Sequence, residues 1–456
     1  MNGEQGIPLT FAQESIYFLN ELTQGRPVYH MPQAFRLRGK LDAQALENAL
    51  KKVVERHEAL RTAIINTEEG PRQMATPPDF RLTIQEMPGA DLEERIAAPL
   101  DLTTGKPFRA ELFPVNDLEH VLLLNLHHVV GDMTSLGILF REIGAAYAGR
   151  ALEGAVTQNR EYAQRRRASE TTDETREFWR SSLKDYTEEL ELPWDRPRPR
   201  LPSFAGEAIY HAFPAELTQG LKQMARAQRC SVYMIGLAAL QVLIHRYTGQ
   251  ERFCVATPFS DRDDAAYENT IGYLINLFPV PCELRPGQPF KLLLETVRDR
   301  CLEAYSNSGI SFREILNEMN LASDSPKPPL ARVVFQYFPE MPELELDGLE
   351  CEAMRVHSRT SKFDLCFSLF ENQGSITTEI EYDSDLFTEE SAAGWGAQYE
   401  TLLRSVVANP AEETGALNIV PADDRALIEQ WNATTVKYPR EATVPELFEE
   451  QVSRAG

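Results

Sequence analysis

Two imidazoles and a carboxylate fall close together in His127-His128-Val129-Val130-Gly131-Asp132. A neutral imidazole that faces a cavity can take a proton from an attacking amine, or hold that amine in line while a tetrahedral oxyanion forms. Spacing alone does not choose between the two. On a strand, side chains alternate with a period of two, so the paired histidines leave on opposite faces, one for a packed wall and one for open space. The same alternation makes a metal ion held by both rings the weaker reading, because ligand pairs usually come from one face. A lone histidine is more often a hydrogen-bonded structural residue. Asp132, at the mouth of the next helix, is first of all a cap or an ion-pair partner, favoured there by the helix dipole.

The elements that position this turn are readable. Val121 to Leu126 is an apolar run of strand length, and Thr134 to Tyr147 resumes a helical period through Leu136, Leu139, Phe140 and Ile143, which puts the turn at a strand-to-helix junction. Asp42 to His57 predicts an amphipathic helix, with Asp42 as cap and Leu46, Leu50, Val53 and Val54 on one face. A second helix runs from Ser231 to Tyr247 and stops at Thr248-Gly249. Phe253 to Thr257 reads as a strand, Pro258 to Asp264 as a polar loop, and Ile271 to Leu284 as an extended apolar segment. Strands and helices mix in both halves, which predicts an α/β class with α+β mixed sheets.

At 456 residues and 43% hydrophobic content the chain exceeds one compact core and is apolar enough for two. Their division falls near Leu192-Pro193-Trp194-Asp195-Arg196-Pro197-Arg198-Pro199, whose prolines cannot continue a helix. A net charge of −23 repels nucleic acid and anionic membrane surfaces, and Arg165-Arg166-Arg167 reads as a solvated helix face. Six scattered cysteines, without a Cys-x-x-Cys pair, suit free thiols in a reducing cytoplasm. No run approaches the roughly 18 to 20 apolar residues of a membrane span, and the opening Met-Asn-Gly-Glu-Gln-Gly has no signal-peptide pattern. From Pro421 onward the chain reads as a linker, with Val444 to Gln451 as the start of a further unit.

The histidine run resembles the His-His-x-x-x-Asp-Gly motif of nonribosomal peptide synthetase condensation domains, members of the chloramphenicol acetyltransferase-like superfamily. Leu9-Thr10-Phe11-Ala12-Gln13 with Tyr17-Phe18-Leu19 is similar to the family's opening motif, and Arg56-His57-Glu58-Ala59-Leu60-Arg61-Thr62 to the next. Leu192 to Pro199, Thr257-Pro258 through Arg262, Ile271 to Asn276, Lys362-Phe363-Asp364-Leu365 and Tyr382 to Phe387 occupy the later expected places. Trp431-Asn432-Ala433-Thr434, followed by Leu447 to Gln451, resembles the linker into an adenylation domain.

The resemblance implies two acetyltransferase-like lobes in a V shape, residues 1–180 and 181–420, with a central tunnel, and 421–456 as linker and start of an adenylation domain. It implies His128 as the catalytic or positioning base, His127 as a wall residue, and Asp132 paired with Arg262 across the lobes. Met133, Ser135, Asn276 and Tyr337 are expected to line the tunnel. No metal and no intrinsic cofactor are expected; substrates arrive as phosphopantetheine or CoA thioesters. The implied partners are a peptidyl carrier domain as acceptor, an acyl-CoA or acyl carrier protein as donor, and a downstream adenylation domain in the same chain. The domain itself is expected to be monomeric.

The sequence departs from the family pattern in places. Met133 stands where the family has glycine, followed by Thr134 and Ser135; Asn307 and Ser311 stand in the late motif that usually holds His and Pro; and no arginine precedes Pro328-Pro329-Leu330. A hydrophobic residue after Asp132, together with Gly272-Tyr273-Leu274-Ile275-Asn276, resembles domains that receive fatty acyl or polyketide donors. With Met1 close before the first motif, the expectation is a starter domain that N-acylates the first amino acid of a lipopeptide. The rivals are an internal condensation domain joining a carrier-bound peptidyl or polyketide donor to an aminoacyl carrier, an ester-forming acyltransferase, and a non-catalytic recruitment domain. Epimerisation domains are not expected before an adenylation domain, and heterocyclisation domains replace the histidine pair.

Overall fold

The computed structural model describes residues 6–86, 92–262, 264–321, 327–436 and 441–455. The opening Met1 to Gln5 and Asp263 of the polar loop lie outside the described residues.

Two sheets organise the two lobes. In the first, Glu119–His127 pairs antiparallel with His30–Arg38 on one side and Phe108–Asn116 on the other, in a five-stranded sheet. In the second, six-stranded sheet, Val333–Phe338 runs parallel to both Arg252–Ser260 and Leu365–Asn372, while the remaining pairs are antiparallel. The expected mixed α/β class is therefore what the chain adopts. A three-stranded sheet of Ile7–Pro8, Gly70–Ala75 and Thr62–Thr67 adjoins the first lobe.

The helices form where caps and periodicity direct. Asp42 accepts the amide of Ala45 at 2.9 Å and opens the helix Ala43–Arg56, whose Leu46, Leu50, Val53 and Val54 are buried. Burying a Leu or Val side chain is worth about 1.5–3 kcal/mol, which holds this helix against Met133–Tyr147 on the same core. Ser231 caps Val232–Thr248, and Gly249 ends it in the left-handed region at φ 71°. That helix is apolar all round because it runs through the middle of the second core. Among the described residues no single helix is long and apolar enough to cross a membrane; Ala215–Gln228 and Val232–Thr248 suffice only together, and they meet at 103°.

The structure departs from the expected layout in four places. Helix Asp173–Leu183 straddles residue 180 but packs on the second lobe, where Trp179 stacks on Phe278 at 5.2 Å and donates its Nε1–H to the Asn307 carbonyl. Glu350–Met354, from the second half, adds an edge strand to the first sheet, with Leu344 and Leu346 buried in the first core. Neither exchange leaves a local signal, because each depends on a partner distant in sequence. Ile271–Leu274 is irregular, and the strand begins only at Ile275. Arg165, Arg166 and Arg167 are not a merely solvated face: they pair with Asp264, Asp261 and Glu14. Within the stretch expected as linker and start of a further unit, helices Ala422–Asn432 and Val444–Ala455 bury no residue against the lobes.

Candidate active site

The strand that carries the histidines ends at His127; His128–Val130 make a single 3-10 turn, and Asp132 caps Met133–Tyr147. His127 is fully buried. Its Nδ1 accepts the Val129 amide at 3.1 Å, so the ring proton sits on Nε2 and is donated to Asn20 Oδ1 at 3.2 Å. Burial, then the neighbouring His30 and His128, push its pKa far below the usual imidazole value.

His128 turns the other way, into a cavity. Its Nδ1 lies 2.7 Å from the Gly131 carbonyl, which can only accept, so Nδ1 carries the proton and Nε2 keeps its lone pair. Tyr273 meets the ring edge-on at 5.2 Å and 79°. Burial first, then the charge of Lys362, push the His128 pKa down to about 4, outweighing the Gly131 carbonyl and Asp132. The ring is thus an unprotonated base at neutral pH, with its free nitrogen not engaged by any described protein group.

Asp132 has a different task. Arg262 Nη1 reaches its Oδ2 at 2.7 Å and Arg262 Nη2 its Oδ1 at 2.9 Å, in the two-pronged geometry suited to a guanidinium, and both side chains are buried. The carboxylate also accepts the amides of Ser135 at 2.9 Å and Leu274 at 3.1 Å. Ser135, expected on the tunnel wall, has no exposed surface: its hydroxyl donates to Asp132 at 2.8 Å and accepts the Gly272 amide at 3.1 Å. An aspartate cap with serine three residues on draws that hydroxyl inward. Gly272 admits no larger residue, since a Cβ there would lie 2.3 Å from Asn159 Oδ1.

The cavity, about 2340 Å³, is lined from both lobes; Tyr29, His128 and Met133 come from the first and Tyr273, Asn276, Tyr337 and Lys362 from the second half. Asn276 donates to the Ile310 carbonyl at 2.6 Å and accepts the Phe312 amide at 3.2 Å, while Tyr337 donates to Glu371 at 2.6 Å. Asn307 and Ser311 close one helix and open the next, Ser311 accepting the Glu314 amide at 3.2 Å. Sequence reasoning assigned no role to Gln13, whose Nε2–H holds the Val129 carbonyl of the histidine turn at 2.8 Å. Its presence in the opening motif was the available signal. Tyr29 and Lys362 were likewise passed over as site residues. Among the described residues no group of three or more His, Cys, Asp or Glu side chains could hold a metal ion.

The family described as Condensation domain matches residues 3–429. A plipastatin synthase component of Bacillus subtilis (strain 168) is 32% identical over 463 residues, an overlap of 99% of this chain and 18% of that protein. Bacitracin synthase 2 of Bacillus licheniformis is 30% identical over 457 residues, or 98% of this chain and 18% of that protein. The chain thus spans less than a fifth of the length of these relatives. The X-domain from teicoplanin biosynthesis is 28% identical with a TM-score of 0.82, covering 92% of this chain and 98% of that one. The four-domain nonribosomal peptide synthetase AB3403, bound to AMP and glycine, shares the fold at a TM-score of 0.87 and 20% identity, over 99% of this chain and 37% of that one.

Proposed function

The chain belongs to the condensation-domain family of nonribosomal peptide synthetases, and from that premise we propose that it joins a carrier-bound acyl or peptidyl thioester to the amino group of an aminoacyl carrier, with the amide bond forming beside His128. The observation that carries this reading is the unprotonated, Gly131-anchored imidazole on the wall of a cavity lined by both lobes. The amine nitrogen attacks the thioester carbon while Nε2 orients it or takes its proton. Collapse of the tetrahedral intermediate expels the thiolate, which leaves with that proton as a thiol. His127 fixes the wall, and Asp132 with Arg262 fixes the turn. No cofactor enters this chemistry; the substrates come as pantetheine thioesters.

The partners in this reading are a donor carrier, an acceptor carrier and an adenylation domain, all in the cytoplasm. The match to the condensation-domain family, with relatives named as plipastatin, bacitracin and linear gramicidin synthases, supports a peptidyl or aminoacyl donor. A fatty acyl donor, with N-acylation of the first amino acid of a lipopeptide, is supported by Phe11, Ile16, Leu19, Phe35 and Leu344 on the cavity wall. Burial of each methylene there is worth about 0.8 kcal/mol, so a lipid-accepting pocket would set a length limit. A recruitment role draws support from the likeness to the teicoplanin X-domain, which is also known in complex with OxyB; the intact base and open cavity speak for catalysis. Donor preference is read by offering fatty acyl-CoAs, an acyl carrier and a peptidyl carrier in parallel to the wild-type domain with a loaded acceptor carrier. A fatty acyl reading is lost if only the peptidyl carrier reacts.

A further inference from the structure

Lys362 reaches the same cavity from the second lobe. Its neighbours are committed to the scaffold: the Phe363 carbonyl accepts from Lys327 Nζ at 3.1 Å, the Ser361 hydroxyl donates to that carbonyl at 2.7 Å, and Asp364 accepts from Arg198 Nη1 at 3.0 Å. Among the described residues the Lys362 side chain makes no hydrogen bond or ion pair. Its Nζ stands 5.8 Å from the centre of the Tyr29 ring, and Tyr29 in turn lies beside His127, with ring centres 6.5 Å apart. Among the described residues no carboxylate lies within 4 Å of that ammonium. Glu379 and Glu381, on the cavity side of Ser375–Asp383, attract it only from farther away.

A cation held in a cavity wall without a close counter-ion is costly. Where negative charge develops during a reaction, such a cation is worth far more than it is in water. Lys362 and His128 line the same cavity, and the charge of Lys362 acts against protonation of the ring.

We propose that the Lys362 ammonium stabilises the oxyanion that forms when the amine attacks the thioester beside His128. As the C–N bond forms, the carbonyl π pair moves onto oxygen, and Lys362 meets that charge; as the pair returns, the C–S bond breaks and the sulfur leaves with the proton taken from the amine. Burial makes the neutral form of His128 the favoured one, and Lys362 adds to that, so one ammonium serves both the base and the intermediate.

This rests on the amide-forming reading above, and the test separates the two. Single-turnover acyl transfer is followed between loaded donor and acceptor carriers for wild type, His128→Ala, Lys362→Met and Lys362→Arg. For Lys362→Met the rate is expected to fall on the order of 10²–10³-fold, with the KM for either carrier changed less than about threefold and thermal unfolding unmoved. Lys362→Arg is expected to keep more of the rate than Lys362→Met. The His128 ring pKa, followed by NMR, should rise in Lys362→Met, which a merely structural lysine would not cause. If Lys362→Met does not fold, Lys362→Gln replaces it. A Lys362→Met rate within about threefold of wild type, or a loss confined to KM, overturns the role of Lys362 while leaving His128 intact. A wild-type domain that transfers nothing and matches His128→Ala removes both.

Discussion

Arg262 grips both carboxylate oxygens of Asp132, at 2.7 and 2.9 Å, and so ties the histidine turn of the first lobe to the loop after Arg252–Ser260 in the second. The pair is buried, with side-chain exposures of 7% and 2%, so removing one partner strands the other charge. Asp132→Ala is expected to lose about 3–5 kcal/mol of stability and to fail in folding before it fails in chemistry. Denaturant unfolding checks this. A soluble, fully folded Asp132→Ala protein without activity would contradict it.

The His128 ring should stay neutral well below the pH at which a free imidazole charges. Its folded pKa of about 4 lies below the unfolded value near 6.5, so the unfolded chain binds the proton first. The stability linked to this ring is full above about pH 6.5 and is lost as pH falls through about 4. His357 behaves oppositely: burial disfavours its charged form, but the hydrogen bond and charge of Glu381 outweigh that and raise its pKa. In NMR at pH 5.5 we expect a neutral His128 and a largely protonated His357.

Ser135→Ala should act on stability rather than on substrate choice. The Ser135 hydroxyl is the acceptor for the buried Gly272 amide, and leaving that amide unpaired costs about 1–3 kcal/mol. The variant should melt earlier than wild type yet show the same donor preference per folded molecule. A changed donor preference would return Ser135 to the cavity wall.

Trp179 should matter to the second lobe although it precedes residue 180. Trp179→Ala removes a fully buried ring stacked on Phe278, at an expected cost of about 3–5 kcal/mol. Near-ultraviolet circular dichroism and melting report it; an unchanged melting temperature would show that the contact carries little.

The parts of this fold legible in the sequence are those that local rules govern. Asp42, Ser231 and Asp132 cap the helices that their apolar periods announce, and Val121 to Leu126 is the strand that delivers the histidines. Alternation separated His127 from His128 correctly, although a 3-10 turn rather than a continued strand aims the second ring. Arg262 was reachable only through the family resemblance, because no pattern in the chain joins it to Asp132. Glu350–Met354 was not legible at all: it is short, carries the charged Glu350 and Glu352, and takes its place only by pairing with His30–Arg38. Ser135 was misplaced because spacing from the motif says nothing of where a capping hydroxyl turns. Lys362 stood inside a recognised motif, yet its chemistry comes from its neighbours being anchored and its own ammonium not.

The central claim is amide formation beside His128, and it is tested most directly by mass spectrometry of an aminoacyl-loaded acceptor carrier mixed with this domain and a panel of CoA-bound and carrier-bound acyl donors. The account predicts that the acceptor gains an acyl mass with wild type and gains none above background with His128→Ala. Equal transfer by wild type and His128→Ala, or none by wild type with any donor, would contradict it.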